Sequence, residues 1–217
     1  MIERFEREAK ILSQLNHPNL AGVHDFGVAG NQPFIVMEFI EGKSLHKLMT
    51  GKDAMPPERA LGLIAQIGEG LIAAHEQGVV HRDIKPDNIL ISQRNGKDWV
   101  ELVDFGLAAS AAKSREKDRL TMPGYAVGTQ RYMSPEQMEG QPATLAADIY
   151  SFGLVCAELL GGEGCVKAGR LRTNDACRTR AGRFWPVIER ACQEEPAGRW
   201  KSVRAMIDAF REAGPSS

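Results

Sequence analysis

Apolar residues recur at helical spacing over residues 2–16, where Ile2, Phe5, Ala9 and Leu12 share one stripe and Glu3, Arg7 and Lys10 lie elsewhere. The spacing predicts a helix, ended by Asn16, His17 and Pro18. Two apolar runs, 20–26 and 34–39, flank a turn around Gly30-Asn31 and read as a hairpin. Glu41-Gly42 breaks the chain, and Ser44 caps a short helix over Leu45–Met49. Pro56-Pro57 opens a longer helix, where proline fits the first turn. Ala60, Ile64, Ile67, Leu71 and Ala74 form its stripe, and Gly78 closes it. Residues 89–91 and 99–103 read as a second hairpin around Asn95-Gly96.

Residues 104–136 are irregular, with a charged patch over 113–119; a connection of that length is usually functional or disordered. Residues 144–160 are apolar nearly all round (Leu145, Ile149, Phe152, Leu154, Val155, Leu159, Leu160), which predicts a helix buried in the core. The glycine- and arginine-rich stretch 161–182 has no clear period and reads as loop. Helices over 184–193 and 202–211 close the domain, and 214–217 reads as a frayed tail. There are no internal repeats and no separate linker.

The chain has 217 residues, 43% hydrophobic and 25% charged, with a formal net charge of −1. That balance gives no general electrostatic case for nucleic acid or an acidic membrane. No apolar run approaches the roughly 20 residues that span a bilayer. The start M-I-E-R-F-E-R-E is amphipathic and charged, unlike a signal peptide. Cys156, Cys165, Cys177 and Cys192 lack paired C-x-x-C spacing, so the expectation is free thiols in a reducing compartment, with no zinc site or disulfide framework.

Chemistry concentrates at 79–90, V-V-H-R-D-I-K-P-D-N-I-L. His81, Arg82, Asp83, Lys85, Asp87 and Asn88 lie between apolar flanks, and Pro86 stops a helix from running through them. A charged surface loop is the plain alternative. The second element decides against it: Asp104, sixteen residues after Asn88, ends an apolar run in V-D-F-G-L. Together the two segments resemble the catalytic and metal-binding loops of protein kinases. The chain is similar over nearly its whole length to the bacterial eukaryotic-like (Hanks-type) serine/threonine protein kinases.

The resemblance implies an α+β, protein kinase-like fold: a mostly helical large lobe over 41–213 and a small-lobe remnant over 1–40, with a hinge near 37–42. It implies that Asp83 is the catalytic base, that Lys85 steadies the transferred phosphate, and that Asn88 and Asp104 hold Mg²⁺. Thr129 of G-T-Q-R-Y-M-S-P-E would touch Asp83 and Lys85 within a substrate-docking segment. Met37, Glu38 and Ile40 would border the adenine edge, with Leu90 beneath the ring. Arg82 would await a phosphate on the activation segment, with Thr121 ahead of Ser114 and Ser110 as the modified residue. Glu136 would pair with Arg199, and Asp148 would anchor the catalytic loop. The implied cofactors are ATP and Mg²⁺, the partner a protein bearing Ser or Thr, and the setting cytoplasmic.

The resemblance breaks at Glu8, which matches the glutamate that pairs with a phosphate-binding lysine. Seven residues precede it, too few for that lysine or a glycine-rich loop, so Glu8 is expected to be a solvated helix charge. The first three strands are then missing, and the edge of 34–39 lies open. The intact catalytic residues favour a fragment of a longer kinase over an inactive binding module or a site completed by another chain. The docking segment argues against a small-molecule phosphotransferase. The 161–182 stretch is short for the family, so substrate choice does not carry over.

Overall fold

The computed structural model describes residues 2–30, 32–51, 54–105 and 130–214. Helix α1 (Ile2–Gln14) forms on the predicted stripe and buries Phe5, Ala9 and Leu12. That face packs on an antiparallel hairpin, β1 (Val23–Ala29) and β2 (Gln32–Met37), paired from Val23↔Met37 to Ala29↔Gln32. Val23, Phe26 and Ile35, with Val79 and Phe105, complete a small apolar cluster under α1. Strand β2 alternates as one side of a half-covered sheet does, and its outer face leaves Phe34 42% and Val36 45% exposed; just beyond β2, Phe39 is 90% exposed.

The first strand starts later than the apolar run predicts, because Leu20 and Ala21 serve another partner. Leu20 makes a parallel bridge to Leu102, and the Ala21 N–H donates to Leu102 O at 3.0 Å. This joins the N-terminal layer to a second sheet of order β3-β4-β5: β3 (Lys43–Ser44), β4 (Ile89–Arg94) and β5 (Lys97–Leu102). Its hairpin outruns the predicted strands and pairs down to Arg94↔Lys97. Asn95 and Gly96 are both left-handed, with φ of 51° and 73°, the backbone of a tight turn whose twist matches its strands.

Helix α2 (Leu45–Met49) is capped by Ser44 as predicted, and α3 (Pro57–Glu76) buries the Ala60 to Ala74 stripe. Beyond α4 (Pro135–Met138), helix α5 (Leu145–Gly161) is the centre of the main core: every residue from Ala147 to Gly161 is buried. Against it pack α3 and α7 (Trp185–Ala191), and α8 (Val203–Ala213) packs in turn on α3 and α7. Close helix approach is built on absent side chains: a Cβ on Gly153 would meet Ala191 Cβ and Cys192 Sγ at 2.8 Å.

The stretch 161–182 is structured, against the loop expected of it. It holds a two-residue-strand hairpin, β6 (Val166–Lys167) and β7 (Arg170–Leu171), then α6 (Asp175–Ala181). Asn174 caps α6 by accepting from Cys177 N–H at 2.8 Å. A disulfide joins Cys165 to Cys177, so two of the four cysteines are not free thiols; Cys156 and Cys192 are. Elements this short carry no period, and a bond across twelve positions depends on a hairpin and a helix turning back together. Among the described residues no helix is long and apolar enough to cross a membrane.

Candidate active site

Helix α3 delivers the chain to the charged loop through a tight stop. The Gly78 N–H donates to His75 O at 2.9 Å and Val79 N–H to Ala74 O at 3.0 Å, with Gly78 left-handed at φ 71°. The chain then turns beneath α5, where Asp148 is 1% exposed. Its Oδ2 accepts from His81 N–H at 2.7 Å and from His75 Nε2 at 2.8 Å, and its Oδ1 from Arg82 N–H at 2.8 Å. His81 is fully enclosed against Phe105, ring centroids 4.4 Å apart. Burial holds its imidazole below the usual pKa, which favours the neutral ring.

Arg82 stands at φ 70°, left-handed for a residue with a side chain, at a cost of about 1–2 kcal/mol. Its side chain is not waiting free: it forks onto Glu8 at 2.7 and 3.1 Å. This corrects the expectation of a solvated Glu8, whose side chain is 20% exposed. The pair sits beside a cavity of about 110 Å³ bordered by Ile11, Leu12, Val79 and Phe105.

Asp83, Lys85 and Asn88 converge. Lys85 Nζ lies 2.6 Å from Asp83 Oδ2, and Asn88 Nδ2 donates to the same oxygen at 3.0 Å and to Asp83 O at 2.9 Å. Ile84 and Ile89 anchor the loop from within the core. Both side-chain contacts fall on Oδ2; among the described residues no hydrogen bond to Oδ1 is recorded. Val103 N–H donates to Asn88 O at 3.0 Å, which brings the end of β5 alongside. Asp104 follows, exposed and left-handed at φ 56°.

Of the residues expected at a hinge, Met37 is half-buried, Glu38 exposed and Ile40 buried; the Glu38 N–H is used on Gly22 O at 2.7 Å. Leu90 is half-buried on β4 opposite Glu101. Thr129, Thr121, Ser114 and Ser110 lie outside the described residues. Downstream of that segment, Glu136 and Arg199 form the expected pair at 2.7 and 2.8 Å. Tyr132 and Arg131 both bind Glu158, which borders a cavity of about 270 Å³ between α2 and α5. Burial raises the Tyr132 pKa, so the phenol stays a donor.

Besides Glu8 on Arg82, two further contacts escaped the sequence. His75 on Asp148 reads in the sequence only as one more helix residue. Gln137 fits the far half of a Ser134-x-x-Gln137 capping box, yet it also reaches the Arg82 carbonyl in the charged loop.

A carboxylate held by an ammonium and a carboxamide, with a second carboxylate on an adjacent exposed turn, is a constellation suited to phosphoryl transfer. Residues 1–208 match the protein kinase domain family, and the chain belongs to it. Serine/threonine-protein kinase PknH of Mycobacterium bovis is 41% identical over 224 residues, which take in 97% of this chain and 36% of that protein. Serine/threonine-protein kinase pkn2 of Myxococcus xanthus is 41% identical over 162 residues, 75% of this chain and 19% of that protein. The crystal structure of the Mycobacterium tuberculosis PknI kinase domain superposes with a TM-score of 0.77 at 27% identity, over 98% of this chain and 79% of that one. These relatives place the chain among the bacterial serine/threonine kinases, with an α+β kinase fold. The chain spans well under half the length of the curated relatives it matches.

Proposed function

We propose that this domain transfers the γ-phosphoryl group of ATP to a Ser or Thr hydroxyl of a protein, in the cytoplasm, where ATP is supplied. The observation that carries the reading is the Asp83 carboxylate, oriented through Oδ2 by Lys85 and Asn88. Oδ1 takes the hydroxyl proton as the hydroxyl oxygen bonds to phosphorus and the bond to the ADP oxygen breaks. Lys85 stays beside the developing charge.

The donor set fits Mg²⁺. Asn88 uses its Nδ2 on Asp83, which leaves its amide oxygen, and Asp104 is exposed; both are hard oxygen donors. When bound, the ion neutralises phosphate charge. Met37, Glu38, Ile40 and Leu90 border the adenine, and with Glu38 N–H already used, the other backbone groups of the hinge read its edge. In this reading residues 1–40 belong to the small lobe and 41–213 to the large lobe.

A second reading, an inactive binding module, is favoured by the exposed apolar strip Phe34, Val36 and Phe39. The experiment that separates the two is transfer of labelled phosphate from Mg·ATP onto the chain and onto a basic protein, beside Asp83→Asn. Label in the unmutated chain alone supports the enzyme. Equal label in both overturns Asp83 as the base, and none in either, from folded protein, leaves the binding module.

A further inference from the structure

We propose that Gln137 is a positioning residue for this reaction, holding the peptide that joins Arg82 to Asp83 through the Arg82 carbonyl. The proposal rests on the phosphotransfer reading above. Its Nε2 donates to Arg82 O at 2.8 Å, across 55 positions of sequence. That carbonyl belongs to the same planar unit as the Asp83 N–H, so its orientation sets the direction in which the Asp83 Cα leaves the loop.

The loop needs such a hold. Arg82 occupies a left-handed conformation that its Cβ disfavours, so the surroundings must impose it. Asp148 fixes the amide nitrogens of His81 and Arg82, and Glu8 fixes the guanidinium. Neither contact restrains the peptide plane that follows. Gln137 does.

The direction of the carboxamide is determined by its partners. Its Oε1 accepts from Ser134 N–H at 3.2 Å and from Ser134 Oγ at 3.1 Å. A flipped amide would set NH₂ against the Ser134 N–H and oxygen against the Arg82 carbonyl, two repulsive contacts. The helix that presents Gln137 is itself rigidly held. Ser134 is fully buried, Pro135 opens α4, and Glu136 is forked by the buried Arg199. Gln137 therefore ties the segment that follows the substrate-docking stretch to the backbone of the catalytic base.

Two variants divide its contacts. Gln137→Glu keeps acceptors for Ser134 and loses the donor to Arg82. Gln137→Lys keeps a donor within reach of Arg82 and loses the acceptor for Ser134. Each is compared with the unmutated chain by phosphotransfer kinetics and by amide hydrogen exchange of the peptide spanning 79–90. The expected result for Gln137→Glu is a kcat lowered by about 10-fold or more, with KM for ATP nearly unchanged and faster exchange within 81–84, since misplacing a catalytic group by about 1 Å can cost 10²-fold. Gln137→Lys restores most of the rate. A capping role alone gives the reverse order, with Gln137→Glu active and Gln137→Lys impaired, and overturns the proposal. Should the unmutated chain transfer no phosphate, the phosphotransfer reading fails by itself. Exchange then decides: acceleration confined to 81–84 in Gln137→Glu supports the hold, and an unchanged rate overturns it.

Discussion

Replacing Arg199 with methionine removes the most heavily bonded side chain of the large core. Arg199 is 2% exposed and makes five hydrogen bonds: two to Glu136 and one each to Gln193 O, Ala146 O and Glu194 O, at 2.7–2.9 Å. Its guanidinium also lies 4.8 Å from the centroid of the Tyr150 ring. Removing one partner of a buried ion pair costs about 3–5 kcal/mol, because the other charge stays behind unpaired. At about 2–4 °C per kcal/mol for a chain of this size, Tm falls by about 6–20 °C. Adding Glu136→Gln removes the stranded charge and recovers part of the loss. The three carbonyls remain without their donor, at about 1 kcal/mol each, so the double variant stays about 2–3 kcal/mol below wild type.

The pH dependence gives an independent check. Burial pushes the Glu136 carboxyl up, but the Arg199 hydrogen bonds, with help from the backbone, bring the net pKa below the usual carboxylate value. A folded pKa below the unfolded one contributes stability above the unfolded pKa, and that contribution is lost as pH falls through the folded pKa. Without Arg199 burial is opposed only by the backbone and Ser134 hydrogen bonds, the pKa rises, and protonation relieves the buried charge. The gap between wild type and Arg199→Met should therefore be wide at pH 7 and narrow towards pH 4, measured by calorimetry or guanidinium unfolding. A loss under about 1 kcal/mol, or a gap constant with pH, would refute the reasoning.

Asp148→Asn keeps the shape but offers one oxygen where three donors converge. It should lower stability by about 1–3 kcal/mol and phosphotransfer along with it; unchanged melting and rate would show that the loop is held elsewhere. Replacing Cys165 and Cys177 together by serine opens a twelve-position loop and should lower stability by about 2–3 kcal/mol. A dithiol reductant should bring wild type down to the level of that variant, and a wild-type Tm unmoved by complete reduction would contradict this.

What the sequence discloses follows from range. Helices α1, α3 and α5 have stripes long enough to declare their period, and two of them carry the site: α3 stops at Gly78 ahead of His81, and α5 brings Asp148 underneath. Asp83, Lys85 and Asn88 lie within six positions, so their meeting needs only a turn. The pairing of Glu136 with Arg199 was legible through family resemblance, because it joins two recognisable segments. Glu8 on Arg82 was not, since the glutamate was read against a family lysine and not against the charged loop. The β6–β7 hairpin is legible only in tertiary terms: Tyr150 Oη donates to Gly169 O at 2.7 Å, and Arg172 N–H to Cys165 O at 2.8 Å. Gln137 has capping bonds that are local, and its longest reach leaves no mark in the pattern.

The fork between Arg82 and Glu8 makes two events rivals. Both terminal nitrogens of the guanidinium face one carboxylate, so a phosphate or any other anion drawn to Arg82 meets an occupied fork. It must compete with a group tethered to α1, whose effective concentration is set by the chain and not by the solution. Linkage makes the antagonism mutual: whatever factor Glu8 takes from the affinity of Arg82 for an anion, the anion takes from the docking of α1. Anchorage of the first helix and anion capture beside Asp83 are thus two outcomes of a single charge.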